Sequence, residues 1–526
     1  MKIATVLQRF TAPLPSQLRR GRTPLSEPRP SASGWLPAWR FLILSLIFLS
    51  LASAQMRVIA KPGKSPLVTF RIVFTTGAAT DPPGKPGVAY LTARMLADGG
   101  TKDMTYRQIV DALFPMAASV SAQVDKEMST FYGATHVDNL QDYYKLLRAM
   151  LLDPGWRADD FERIRDDAVN SIRVGLRSND EELGKEVLYQ NIYRGTPYGQ
   201  YDGGAVSTLE NITLDDVKNF YHSQYSQSHL ILGIAGGYPP TFVDEMKKDF
   251  RSLPEGAGFH PRQQPPKLIQ NTRVVIVEKD TRSVAFSLGF PIFVTRRSPD
   301  YTAMLLAATY FGQHRMSIGV LYQQMREKRG LNYGDYDYIE YFPRGMFRME
   351  PEPNLARHEQ IFQIWIRPVE PPTAKFALRL ALYELDKLIK DGIPEDSFER
   401  TRDFLSKYVN VLTRTRSADL GYAIDNLYYD RPDYVETVKA DLAKLTREQV
   451  NAAIRRHLRT DRLVIVAVSR NGEALKQQLA SADPSPMTYN SPKPAALLEE
   501  DKTVEKWPLN LSPDSIAVVS GDKVFQ

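Results

Sequence analysis

The strongest constraint on this chain is that it repeats itself. The segment Thr213-Leu-Asp-Asp-Val217 … Leu230-Ile-Leu-Gly-Ile-Ala235 aligns without a gap to Thr446-Arg-Glu-Gln-Val450 … Leu463-Val-Ile-Val-Ala-Val468. In both copies a Thr opens a helix as its N-cap, with an acid in the first turn, and an apolar β-run and a further helix follow. Upstream, the β-rich run Val284–Phe290 is the counterpart of Val68–Phe74. A duplicated unit of this kind predicts an α+β fold, a tandem repeat of two homologous mixed α/β domains. Their expected extents are 56–255 and 270–482, joined by a polar, Pro-containing linker at 256–269. The residues beyond, 483–526, are Pro- and Ser-containing and read as an extended tail that Trp507 and Leu509 could dock on a surface.

Within the first repeat, Leu67–Phe74 reads as a strand ending at Thr76-Gly77, and Asp81-Pro-Pro-Gly84 as a turn. A helix carrying Val88, Leu91, Met95 and Leu96 follows and stops at Gly99-Gly100. Further amphipathic helices are expected at Thr105–Leu113, Asn139–Leu152 and Asp159–Leu176.

Composition enters where it excludes chemistry. The 526 residues contain no Cys, so disulfides, thiolate nucleophiles and Cys-ligated metals are ruled out. The net charge of +6 would ordinarily suggest an acidic partner, but the excess is confined to the first 54 residues. There Lys2, Arg9, Arg19, Arg20, Arg22, Arg29 and Arg40 face a single acid, Glu27, and the remainder has as many acids as bases. Nucleic acid therefore has no support as a partner. The basic stretch leads into the uncharged run Phe41–Leu51 and then Ala52-Ser53-Ala54, the pattern of an export signal with its cleavage site. The run is short for a bilayer span, so no stable membrane span is expected, and the Cys-free chain is expected to be exported into a bacterial periplasm.

Two strings then carry a resemblance. The loop Thr76-Gly-Ala-Ala-Thr-Asp-Pro-Pro-Gly-Lys-Pro-Gly-Val-Ala89 leading into a helix, and Met325-Arg-Glu-Lys-Arg-Gly-Leu-Asn-Tyr333 in the second repeat, resemble the pitrilysin/insulinase family of zinc peptidases. The resemblance spans 56–482 and implies a two-domain clamshell half. In that family a His-x-x-Glu-His motif places two imidazoles one helical turn apart on zinc, with the Glu as general base. Here the matching positions are Tyr90, Ala93 and Arg94, and the positions of the third-ligand Glu and of the Glu seven residues before it hold Ser171 and Ile164. The resemblance therefore implies no catalytic residue and no metal in this chain. Arg94 could pair with Asp98 or Asp167, or stand partly exposed without a partner.

The second repeat keeps the family's substrate-holding pair. The resemblance assigns that role to Arg326 and Tyr333, which would hold the substrate backbone and stabilise the tetrahedral intermediate from across the cleft, with Arg329 as the fallback. Gly312–Gly319 occupies the place of a glycine-rich substrate loop in some non-catalytic members but has only two glycines, and reads more simply as an ordinary loop. Tyr336, Tyr338 and Tyr341 read as packing residues. The expectation is a zinc-less, substrate-binding subunit of an exported peptidase, with a peptide substrate and with zinc supplied by a partner subunit. A scaffold role without proteolysis is the alternative, and the lost ligands argue against a free-standing metallopeptidase.

Overall fold

The structure is a computed structural model that describes residues 56–256, 265–345 and 347–526. The leader at 1–54 and the middle of the linker lie outside the described residues. Two sheets organise the rest. The first contains β1 (Arg57–Pro62), β2 (Leu67–Phe74), β3 (Ser119–Val124), β4 (Ser129–His136) and β5 (Leu230–Gly236), in the order β1-β5-β2-β4-β3. The second contains β6 (Arg273–Glu278), β7 (Val284–Ile292), β8 (Tyr336–Tyr338), β9 (Gln360–Val369), β10 (Val464–Ser469) and β11 (Ile516–Ser520), in the order β11-β6-β10-β7-β9-β8.

The repeat is exact at the level of topology. β1 runs parallel to β5 and β6 parallel to β10, and every other pair common to the two sheets is antiparallel. The two Thr N-caps expected from sequence both close capping boxes. Thr213 closes its box with Asp216 and Thr446 with Gln449, at the starts of helices Leu214–Gln224 and Arg447–His457.

Each half covers the other's sheet. Helix Asp180–Ile192 of the first half lies on β7 and β10, and helix Arg416–Tyr428 of the second lies on β5, β2 and β1. The central strands are thus buried on both faces, which is why β5 and β10 read as nearly continuous apolar runs and why Thr69 and Arg71 of β2 are buried with their apolar neighbours. At Gly421 in the second of these helices a Cβ would come within 2.4 Å of Pro353, so only glycine permits the approach.

Charge fastens the two halves. Arg357, 1% exposed, donates from Nε to Asp125 at 2.8 Å and from Nη2 to Asp202 at 3.2 Å, with its guanidinium 3.4 Å from the centre of the Tyr341 ring. Next to it His358 Nδ1 lies 2.6 Å from Glu127, which also accepts from the Tyr428 hydroxyl. From the first half, Arg71 in β2 reaches Asn354 at 2.8 Å and the Ser417 carbonyl at 2.9 Å.

The tail is not extended. Residues 483–526 include helix Ala495–Val504, packed on helix Ala374–Asp391, and β11, which adds to β6 in parallel. Trp507 packs edge-on against Tyr383, with ring centres 5.2 Å apart. The segment then crosses to the first half, where Phe525 is buried beside Tyr201 and the Arg177 guanidinium donates to the Val524 carbonyl at 2.8 Å. Its apolar residues are spaced too irregularly to signal this from sequence. Among the described residues no helix is long and apolar enough to cross a membrane.

Removing a fully enclosed cation leaves its carboxylates buried without a counter-charge. Arg357→Ala is therefore expected to lower stability by about 3–5 kcal/mol in denaturant unfolding. A loss below about 1 kcal/mol would place the pair among those that contribute little.

Candidate functional site

The helix that would carry a zinc motif, Val88–Asp98, is set by the loop before it. Gly87 takes a φ of 100°, and the Asp81 carboxylate accepts from the backbone N–H groups of Gly87 at 2.6 Å and Ala89 at 2.9 Å, which caps the helix. Burial nonetheless pushes the Asp81 carboxyl up to about 7.

Tyr90 and Arg94 share the partly open face of this helix, while Ala93 is fully buried in the core. The Arg94 guanidinium donates to the Tyr90 hydroxyl at 3.0 Å and to the Asp98 carboxylate one turn on, so the partner is Asp98 rather than Asp167. Burial pulls the Arg94 pKa down, but Tyr90 and Asp98 outweigh it and raise it above the ordinary value. Ser171 is exposed at the end of helix Ala158–Asn170, where the backbone changes to a π-type winding over Ser171–Leu176; the single helix expected to Leu176 is thus divided. Ile164 is fully buried.

These positions do not fit zinc. They offer a phenol, a methyl group, a guanidinium and a hydroxyl, and the carboxylate one turn after Arg94, Asp98, is already paired with it. Among the described residues no cluster of three or more His, Asp or Glu is arranged to hold a metal ion.

In the second half, Arg326 and Tyr333 come together in one open hollow of about 840 Å3, with Arg282, Glu327 and Asn332 also in its wall. None of Tyr90, Ala93, Arg94 or Ser171 lines it. Arg326 sits in a π-type turn, Tyr322–Glu327, with its guanidinium 4.9 Å from the Tyr322 ring centre. Gly330, at a φ of 66°, reverses the chain, and Tyr333 emerges 77% exposed. The turn is fastened from below: the Asn332 side chain donates to Asp335 at 2.7 Å and to the Arg367 carbonyl at 3.0 Å. Burial pushes the Asp335 carboxyl up to about 7, against the bonds it accepts from Asn332 and from the Arg367 backbone N–H at 3.0 Å.

Arg329, the fallback for the substrate role, is committed elsewhere. It is buried and paired with Glu500 and Asp501, each at 2.8 Å, so it holds the tail. The Gly312–Gly319 loop does not present a flexible glycine arm. His314 within it is stacked on Tyr336, ring centres 4.4 Å apart, with Nδ1 2.8 Å from the Tyr338 hydroxyl. Tyr336, Tyr338 and Tyr341 are all buried. Sequence reasoning passed over Asp335 and Asp337; the acids alternating with Tyr at and just before this short strand are the one signal that could have drawn attention to them.

The model of the insulinase (M16) peptidase family matches residues 57–201, and that of the peptidase M16 inactive domain matches 211–405. The chain belongs to the M16 peptidase family. This M16 chain is 24% identical over 385 residues to an "uncharacterized zinc protease" of Rickettsia bellii, a match covering 70% of the chain and 86% of that relative. It is 18% identical to a "non-peptidase homolog YmxG" of Helicobacter pylori, covering 77% and 89%. Its fold matches the crystal structure of a peptidase M16 inactive domain from Pseudomonas fluorescens with a TM-score of 0.69 at 22% identity, over 80% of this chain and 96% of that one. It is an M16 member without the residues of M16 catalysis.

Two measurements test the local accounts. Arg94→Ala should lower stability by about 0.5–1 kcal/mol, the scale of a one-turn ion pair with an aromatic contact, and an unchanged melting temperature would refute the pairing. For Asp335 the folded value lies above the unfolded one, so its stabilising contribution is complete below about pH 4 and lost as pH rises through about 7. Asp335→Asn should therefore melt above the wild type at about pH 8 and approach it at about pH 4.

Proposed function

We propose that this chain is the non-catalytic, substrate-binding subunit of an exported M16-type peptidase complex, with zinc supplied by a partner subunit. The observation that carries the reading is the asymmetry between the halves. The zinc-motif positions hold no donor set, whereas Arg326 and Tyr333 both line one open hollow, with Tyr333 largely exposed and neither buried in the core. In this reading the guanidinium and the phenol donate to the backbone carbonyls of a peptide and to the oxyanion that forms as it is cleaved. The partner contributes the metal and the general base. Export rests on the basic leader, its short apolar run and Ala52-Ser53-Ala54.

The test is reconstitution. The purified chain is expected to cleave no peptide alone and to do so with a His-x-x-Glu-His relative from the same genome. Arg326→Ala and Tyr333→Ala should each reduce kcat/KM of that pair by roughly 100-fold, as loss of one oxyanion donor does. Cleavage by the lone chain, or full activity of both variants, would sink the proposal. Full activity of the variants in an intact complex is the outcome that a scaffold role requires.

A further inference from the structure

A small cavity lies beneath the Gly312–Gly319 loop, apart from the Arg326–Tyr333 hollow. Its volume is about 30 Å3, and Gln313, His314, Asp337, Glu340 and Glu350 supply its polar lining. One water needs about half of that, so the space takes two groups of water size.

The hydroxyls in the lining are used up by the fold, Thr309 donating to the Leu305 carbonyl and Tyr338 bonding His314, and the polar atoms left open are acceptors. Asp337 is 2% exposed, and its carboxylate faces only the backbone N–H groups of Gly312 and of its own residue, with no side-chain donor and no counter-charge; Gln313 is 6% exposed and its Oε1 meets no donor. The neighbours cannot help. The Gln313 amide nitrogen donates to Glu350 at 2.5 Å, and Glu340 is bound by the Arg296 guanidinium at 2.9 and 3.2 Å. A carboxylate without a counter-charge, from β8, and an amide oxygen without a donor, from the residues just after helix Tyr301–Phe311, thus line one space. Burial pushes the Asp337 carboxyl well above the usual carboxylate range, as expected for an acid with no counter-charge beside it.

A buried carboxylate without a counter-charge is costly, and the group that best serves it together with the open amide oxygen carries several N–H donors and a positive charge. A metal is not that group, because among the described residues no set of ligands is arranged to hold one. The volume fits the end of an alkylammonium, a methylene and its nitrogen, and is small for a planar guanidinium. The surrounding aromatic cluster already accepts an ammonium of this type: Lys185 Nζ sits 5.0 Å from the Tyr338 ring centre and 5.1 Å from that of Trp365.

We propose that this cavity binds a primary ammonium group, R–CH2–NH3+, and that the group is the side chain of a peptide lysine. The lysine assignment rests on the substrate-binding reading above; the ammonium site does not. The probes are butylammonium chloride, Nα-acetyl-lysine N-methylamide and its Nε-acetylated form, followed by ligand-observed NMR on the full chain. Both amines are expected to bind and the neutral Nε-acetylated compound not to bind. Asp337→Asn, which keeps the shape, should weaken the amines by about tenfold or more without lowering the melting temperature. Gln313→Met gives a second variant and should weaken them too. Three outcomes would overturn the site: no amine binding, equal binding of the Nε-acetylated compound, or unchanged binding by both variants. If butylammonium alone binds, the ammonium site stands and the lysine assignment falls, while the Arg326 and Tyr333 variants judge the function separately.

Discussion

The fold depends on a positive charge that cannot reach water. Arg357 belongs to the second half of the chain, yet its carboxylate partners, Asp125 and Asp202, belong to the first. A buried guanidinium is tolerated only with its counter-charges in place, so the halves have one relative position in which neither side is left with an uncompensated ion. The neighbouring contacts of His358 with Glu127 and of Arg71 with Asn354 repeat the constraint on either side. The turn Asp125–Glu127, at the tip of the β3–β4 hairpin, therefore serves as a socket for the segment Asn354–His358.

That fixed position makes the exchange of covering helices possible. A sheet buried on both faces needs two apolar layers, and each half provides only one for itself. Helices Asp180–Ile192 and Arg416–Tyr428 supply the missing layer to the opposite sheet. Neither sheet would keep its apolar faces dry without the other half. The candidate site inherits this rigidity, because β8 and β9, which carry the residues beneath Tyr333, are part of the same sheet.

What the sequence revealed was local or periodic. The repeat, the two Thr caps, the continuous β-runs and the vacant motif positions could all be read because each depends on residues close together in the chain. The Arg94–Asp98 pair was within reach for the same reason, being one helical turn apart. What escaped was long-range. Nothing in the neighbourhood of Arg357 marks it as the partner of Asp125, and nothing near Arg329 marks it as the partner of Glu500 and Asp501; a charged residue beside a glycine reads as surface until its partner is known. The tail was misjudged because its docking surfaces are assembled from both halves. Asp337 was passed over because an acid between two tyrosines can belong to an exposed edge as readily as to a core.

The strand β11 has a consequence for how the molecule is assembled. It lies along β6, which is encoded far upstream, and until it arrives β6 presents an open row of backbone donors and acceptors. The chain can pair β6 with β10 earlier, but the outer side of β6 is covered only once the segment after helix Ala495–Val504 has been made. This is a contact of high sequence separation, and such contacts form slowly. The period in which β6 is open to pairing with a second copy is therefore set by the wait for β11.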